Sequence, residues 1–434
     1  MLTKAEQKTK GGINFNLSPE QLATQESTRE FAQKVLLPVR DKVDAAPNDW
    51  EAFLAGREAY REFARAGFAR SFIPTEYGGG GSSMLDFAIS SEELAAVEVN
   101  IPTTVLGNGL ALNPVITFGT DKQKRQFLTP FVEDTEGDLL GAYAFTEVDG
   151  GANFDSDDPR AGVKTIAKLE GDEWVINGQK HYTVNGTGWD KRGAHLFAVV
   201  CRTDPNKGAK ESLAIIMVPG NTPGIKILDV YDKMGARPIV APRVHFENVR
   251  VPRANIIGKP GDGIQMVSVA FSWTAALIGA AAVGLMRAAF DEALEAALTD
   301  KRGGSQPFIV HQGPAYLLAD IKMRLEACRY LSWKACQYFE ETGGLAEELA
   351  IMAKVYCSET AVQAVYDAMR VKGINSYIKQ FSRMDLLMRN ALVMPLYDGG
   401  NVGIRRRQLQ QIFMQPGYNS MLAVRSEMPP WLKR

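Results

Sequence analysis

Apolar residues recur at helical spacing near the start of this chain, at strand spacing in the middle, and at helical spacing again to the end. That order excludes most folds. From about Ser18 to Pro130, Pro19 follows Ser18 as a cap and first-turn pair, and Phe63, Ala64, Ala66 and Phe68 repeat at three and four. Pro74 and the run Gly78 to Gly81 interrupt the pattern; without GxxxxGK[ST] spacing they read as turn punctuation. From about Leu139 to Pro252, short β-rich runs at 174–176, 196–200, 213–218 and 244–246 alternate with Gly, Pro, Asn and Asp. Asn177-Gly178 at the centre of Glu173 to Lys180 predicts a hairpin. From about Gly263 the helical period returns over 263–300, 312–342, 346–370 and 384–392, with Gly279 and Gly284 among alanines permitting close helix approach.

The expectation is a mainly α chain with a central β-domain. It comprises a flexible N-terminus over 1–17, an N-terminal helical domain over 18–135, a small β-barrel or sandwich over 136–258, and a C-terminal four-helix bundle over 259–434. A length of 434 residues accommodates three such parts. No GxGxxG follows a strand, so a Rossmann dinucleotide site has no support.

Composition removes whole classes of function. With a net charge of -1 there is no global basic field, and no nucleic-acid partner is expected. Cys201, Cys328, Cys336 and Cys357 lack CxxC spacing, and His181, His195, His245 and His311 are scattered without HExxH. Neither a metal site nor a disulfide framework is expected. Lys4, Lys8 and Lys10 precede no apolar h-region, the apolar stretch 275–285 is too short for a bilayer, and Trp431 to Arg434 is not a peroxisomal address. A soluble cytoplasmic enzyme with no membrane partner is the expectation.

Near the C-terminus lies Pro395-Leu396-Tyr397-Asp398-Gly399-Gly400-Asn401, with Arg405 seven residues beyond Asp398. Alone, an acid beside two glycines reads as a turn. Arg405-Arg406-Arg407 alone reads as a solvated face or anion patch.

Other segments change that balance. Pro74, then Glu76-Tyr77-Gly78-Gly79-Gly80-Gly81, resembles P-E-x-Y-G-G-x-G. Phe145-Thr146-Glu147 followed by Gly151-Ala152-Asn153 resembles A-L-T-E-P-x-x-G-S-D, and Asn177 to Asn185 resembles N-G-x-K-x-W-I-T-N. With Gly119 to Lys124, Met234 to Arg237 and Val249 to Gly258, these follow the order of the acyl-CoA dehydrogenase family over nearly the whole chain. The resemblance implies FAD held between the β-domain and the bundle, in a homotetramer whose neighbouring subunit completes the site. It places Phe145, Thr146, Ala152, Asn153, Thr183 and Asn185 at the flavin ring, with Glu147 and Val184 as further cofactor contacts. It places Arg302, His311 and Gln312 near the pyrophosphate, where a guanidinium fork suits a diphosphate. Met369, Arg370, Gly399 and Gly400 are carried over as further cofactor contacts.

Two departures define the branch. The family's Q-x-x-G-G-x-G segment becomes Asp367 to Gly373 and keeps only its last glycine, with Arg370 a replacement for part of it. The catalytic Y-E-G-T becomes Tyr397-Asp398-Gly399-Gly400, and the alternative base position on the first bundle helix holds Thr274. Asp398 is then the only candidate carboxylate, with Arg405 as its cation and Thr274 as its hydroxyl partner. Together with Arg302 to Ser305 and Asn185 to Asp190, these features resemble the nitroalkane-oxidase branch. In that branch an aspartate removes the α-proton of a nitroalkane, electrons pass to flavin and oxygen, and an aldehyde or ketone, nitrite and hydrogen peroxide result. A nitroalkane is a stronger carbon acid than a thioester, so a base weakened by a cation suffices. Two alternatives stay open: an acyl-CoA dehydrogenase with an Asp base, and a non-catalytic flavin-binding scaffold. The expected partner is a small-molecule substrate, nitroalkane or acyl-CoA.

Overall fold

A computed structural model of the chain describes residues 16–432. Residues 1–15 of the segment expected as a flexible N-terminus, with Lys4, Lys8 and Lys10, lie outside the described residues, as do Lys433 and Arg434. Helices α1 (Pro19–Phe31), α2 (Leu37–Ala45), α3 (Asp49–Ala55), α4 (Arg57–Arg65), α5 (Met84–Ala95), α6 (Ile101–Phe118) and α7 (Asp121–Glu133) come first. Next are β1 (Gly141–Ala144), β2 (Ile166–Glu170), β3 (Glu173–Lys180) and β4 (Leu196–Arg202). The short α8 (Ala209–Ser212) leads to β5 (Leu213–Pro219), β6 (Ile225–Ile227), β7 (Val244–Pro252) and β8 (Ile256–Ile257). The chain ends with α9 (Gly263–Thr299), α10 (Gln312–Glu341), α11 (Glu348–Lys372), α12 (Met384–Val393) and α13 (Arg406–Phe413).

Local chemistry explains the helix starts. Ser18, Ser83 and Thr120 each accept a bond from the third residue's amide while Gln21, Asp86 and Gln123 reach back, which satisfies two orphan donors at α1, α5 and α7. Helix α9 runs for 37 residues, about 55 Å. It is longer than the short apolar stretch at 275–285 suggests, and by length and composition alone it could cross a bilayer. Its most apolar stretch is instead almost wholly buried in protein, as a core helix should be.

By packing, the chain falls into two compact units. One comprises residues 34–82 and 100–271. Its sheet has the order β6-β7-β3-β2-β4-β5-β8, with β1 parallel to β4. Strands β4 and β5 are apolar and buried almost throughout, as the centre of a covered sheet requires. The sheet is mixed and open, not the small barrel expected: closure needs its end strands to pair, and β6 and β8 have only three and two residues. The Asn177-Gly178 hairpin is also corrected. Residues 173–180 form one strand, the reversal falls between β2 and β3, and Asn177-Gly178 marks a register shift against β7.

The other unit comprises the described residues up to Gln33, together with 83–99 and 272–432. Alanines of α9 pack with α10, α11 and α12 around Leu318, Ile321, Leu325, Val365 and Met384. Gly284 lets α9 approach α5 so closely that a Cβ there would lie 2.3 Å from the Glu92 carbonyl oxygen. Beside this approach, Arg287 grips Glu93 (2.7 and 2.8 Å) and Arg329 grips Glu92 (2.8 and 2.9 Å), each through two bonds. All four cysteines are free and buried.

Candidate active site

Helix α12 ends at Val393, and the chain turns back through Pro395 to Asn401, whose amide donates to the Pro395 carbonyl at 2.9 Å. Three successive residues have left-handed backbones: Asp398 at φ 51°, Gly399 at 90° and Gly400 at 60°. For an aspartate that conformation costs about 1 to 2 kcal/mol, so something must hold it. Arg405 does. After one π-type turn (Gly400–Arg405), its Nε donates to the Asp398 carbonyl at 2.9 Å and its Nη2 to Asp398 Oδ2 at 2.7 Å. A Cβ on Gly399 would lie 2.9 Å from that Nε. From α9, Thr274 Oγ1 donates to Asp398 Oδ1 at 2.5 Å. The Asp398 side chain is 6% exposed and the Arg405 side chain 0%. The turn reading and the functional reading therefore describe one object: the turn is what delivers the carboxylate to Arg405 and Thr274.

Two further titratable groups belong to this neighbourhood. Glu347, just before α11, accepts from Ser272 Oγ at 3.1 Å, and burial pushes its pKa up to about 7 against the pull of Arg405. Arg405 thus acts on a second carboxyl besides that of Asp398. Lys354 on α11 is fully buried and donates to Asn401 Oδ1 at 2.6 Å, and burial pushes its pKa down to about 7. Sequence carries little sign of either. Glu347-Glu348 reads as acids at a helix start, and Lys354 as one more helix lysine.

The residues expected at the flavin ring lie in the sheet-containing unit. Phe145 is buried edge-to-face against Phe154 and Phe271. The Thr146 carbonyl accepts from the His181 amide at 2.7 Å, and Lys180 Nζ donates to the Phe145 carbonyl at 3.0 Å. Glu147 is buried. Its carboxylate accepts from Lys180 Nζ (2.8 Å), the Lys164 amide (2.6 Å) and the Thr165 amide (2.8 Å), so it braces the segment internally. The amide nitrogen of Asn185 is likewise committed, donating to Thr104 O, Asn108 Oδ1 and Gly141 O at 2.9 to 3.1 Å. Asn185 Oδ1 and Thr183 Oγ1, in contrast, are buried with no hydrogen-bond partner among the described residues. A buried hydroxyl and amide oxygen without partners suit a ligand with polar ring edges, and in this respect the residues fit a flavin. Val184 is half-buried beside them, while Ala152 and Asn153 lie exposed on the loop after Gly151.

The residues expected at the pyrophosphate lie in the helical unit. Arg302, at φ 47°, donates to Asp300 (2.7 Å) and to the Lys372 carbonyl (2.6 Å) and covers the Phe308 ring. His311 and Gln312 are exposed at the start of α10. Met369 and Arg370 occupy the last turns of α11, which continues to Lys372 where glycines were missed in the sequence. Arg370 donates to Asp367 at 3.0 Å, and Asp367 also accepts from Arg324 at 2.5 Å. Its guanidinium is therefore partly committed to its own helix.

Three family models match in chain order: acyl-CoA dehydrogenase N-terminal domain over residues 18–135, middle domain over 142–249 and C-terminal domain over 261–413. The chain belongs to the acyl-CoA dehydrogenase family. Among its relatives, nitroalkane oxidase from Podospora anserina is 38% identical over 432 residues, 96% of this chain and 100% of the relative. A solved structure of nitroalkane oxidase, described as a flavoprotein and studied for the roles of an arginine and an aspartate, is 35% identical with TM-score 0.89 over 95% of this chain and 99% of that one. The mitochondrial short-chain specific acyl-CoA dehydrogenase of Rattus norvegicus is 28% identical over 86% of this chain and 85% of the relative. Within the acyl-CoA dehydrogenase family, this member combines an aspartate at the C-terminal turn with a threonine on α9, and it places a buried lysine and a second carboxyl around them.

Proposed function

We propose that this chain is an FAD-dependent oxidoreductase of the nitroalkane-oxidase type. It converts a nitroalkane, oxygen and water to an aldehyde or ketone, nitrite and hydrogen peroxide. The observation that carries the reading is the Asp398 carboxylate held between Arg405 and Thr274. Among the described residues each oxygen has one donor, so each keeps a lone pair, and one of these takes the α-proton of the substrate. Arg405 Nη2 holds the carboxylate in place at 2.7 Å, and an acidic C–H asks little of a base. Phe145, Thr146, Thr183 and Asn185 hold FAD, which supplies the acceptor for the substrate's electron pair. Arg302, His311, Gln312 and Arg370 serve its phosphates, completed by a neighbouring subunit in a homotetramer. The four buried reduced thiols support a cytoplasmic setting.

The test is anaerobic mixing of oxidised protein with a primary nitroalkane and, separately, with a short-chain acyl-CoA. Bleaching of the flavin by the nitroalkane, nitrite release, and hydrogen peroxide on admitting air are expected. Family membership favours a second reading, α,β-desaturation of an acyl-CoA by the same aspartate. Bleaching by acyl-CoA alone, with an enoyl product and no nitrite, selects it.

A further inference from the structure

Lys354 has no part in the chemistry above, yet it is among the largest fully buried side chains of the protein. Burying an ammonium is costly unless its hydrogens are met. Its Nζ donates to Asn401 Oδ1 at 2.6 Å and to the Pro395 carbonyl at 3.4 Å. Pro395 and Asn401 are the two ends of the loop that carries Asp398, and the Asn401 amide joins them directly at 2.9 Å. Asn401 is itself buried and donates to Ser358 Oγ at 3.0 Å and Glu359 Oε1 at 3.1 Å on α11. One ammonium thus clamps both ends of a loop whose three left-handed residues have little stability of their own.

We propose that Lys354 is a positioning residue for the proton-abstracting carboxylate: it pins the Asp398 loop through Asn401 and sets a second cation, after Arg405, within electrostatic reach of the base. This rests on Asp398 being that base. The charged groups that act on Lys354 are Asp398 and Arg405 from the loop and its following turn, and Glu359 from its own helix. Glu359 is paired with Arg406 at 2.8 Å, and Asp398, paired with Arg405 at 2.7 Å, is the other acid of the set. Burial holds the lysine's pKa at about 7, so its charge is present below that pH.

The experiment is anaerobic flavin reduction by a primary nitroalkane from pH 5 to 9. It compares wild type, Lys354→Gln and Lys354→Met, each with bound FAD verified by its visible spectrum. A nearby cation opposes protonation of a carboxylate. Lys354→Gln, which keeps a donor for Asn401, should therefore move the acid limb up by about one pH unit, with a deficit that widens as pH falls. Lys354→Met should show the same displacement and also run about tenfold slower across the range, because the loop is untied. Folded, flavin-bound variants with the wild-type profile overturn the proposal. If removing the lysine prevents folding, Asn401→Ser decides: a roughly tenfold slower plateau with an unmoved acid limb is expected, and an unchanged plateau overturns the pinning role. If only acyl-CoA bleaches the wild type, the same comparison is made with it. A wild type inert to both overturns the Asp398 reading and this one together, whereas an active wild type with unaltered variants overturns this one alone.

Discussion

Asp398 places a non-glycine residue in a left-handed backbone so that both carboxylate oxygens meet a donor. Asp398→Asn preserves that shape and removes the proton affinity. FAD should stay bound while the anaerobic reduction rate falls by about two or more orders of magnitude. Thr274→Ala removes one bond to a charged group and should slow the same step about ten- to a hundredfold. Glu347 yields a stability test. A carboxyl whose pKa is raised from 4.5 to about 7 stabilises the fold below the lower value and loses that contribution as pH climbs to the higher one. The Tm of Glu347→Gln relative to wild type should accordingly rise between pH 4.5 and 7 and then level off; a constant difference across that window refutes the assignment. At this scale the sequence revealed the residues with a distinctive neighbourhood. Asp398 and Arg405 stand seven apart beside paired glycines, and the family pattern drew in Thr274 from 124 residues away. Glu347 and Lys354 owe their properties to burial, which no local pattern reports.

Helices were legible almost to their ends, because α9 to α12 each carry a sustained apolar period. The sheet was legible strand by strand but not in its connections. Asn177-Gly178 has the composition of a tight turn, yet β3 runs straight through it, since pairing with β7 continues on both sides and absorbs the glycine as a register shift. Closure was equally invisible, because the lengths of β6 and β8 decide it. Two glycines carry predictions at this scale. Gly284→Val forces a side chain into the Glu92 carbonyl and should cost about 1 to 3 kcal/mol in denaturant unfolding. Gly399→Ala adds a left-handed non-glycine residue and a methyl against Arg405 Nε. It should slow proton abstraction while leaving helix content and bound flavin unchanged, as circular dichroism and the visible spectrum would register.

For the whole molecule, the purified protein should be yellow, with about one tightly held FAD per chain. A correctly folded, colourless protein that takes up no flavin on titration would end the flavoenzyme reading, and light scattering tests the homotetramer. The order of helices, strands and helices was plain in the sequence. The grouping of α1 and α5 with the C-terminal helices was not, because such contacts join segments hundreds of residues apart. Turnover of the proposed kind would release hydrogen peroxide inside the protein, and two of the four buried thiols are set against it. Peroxide attacks thiolates, and burial pushes Cys201 up to about 12 and Cys336 higher still, so these sulfurs stay protonated and shielded. Met234, Met323 and Met414 stand 63 to 75% exposed at the surface. Under that proposed activity, oxidative wear would fall first on these thioethers, whose damage is repairable, and last on Cys201 and Cys336.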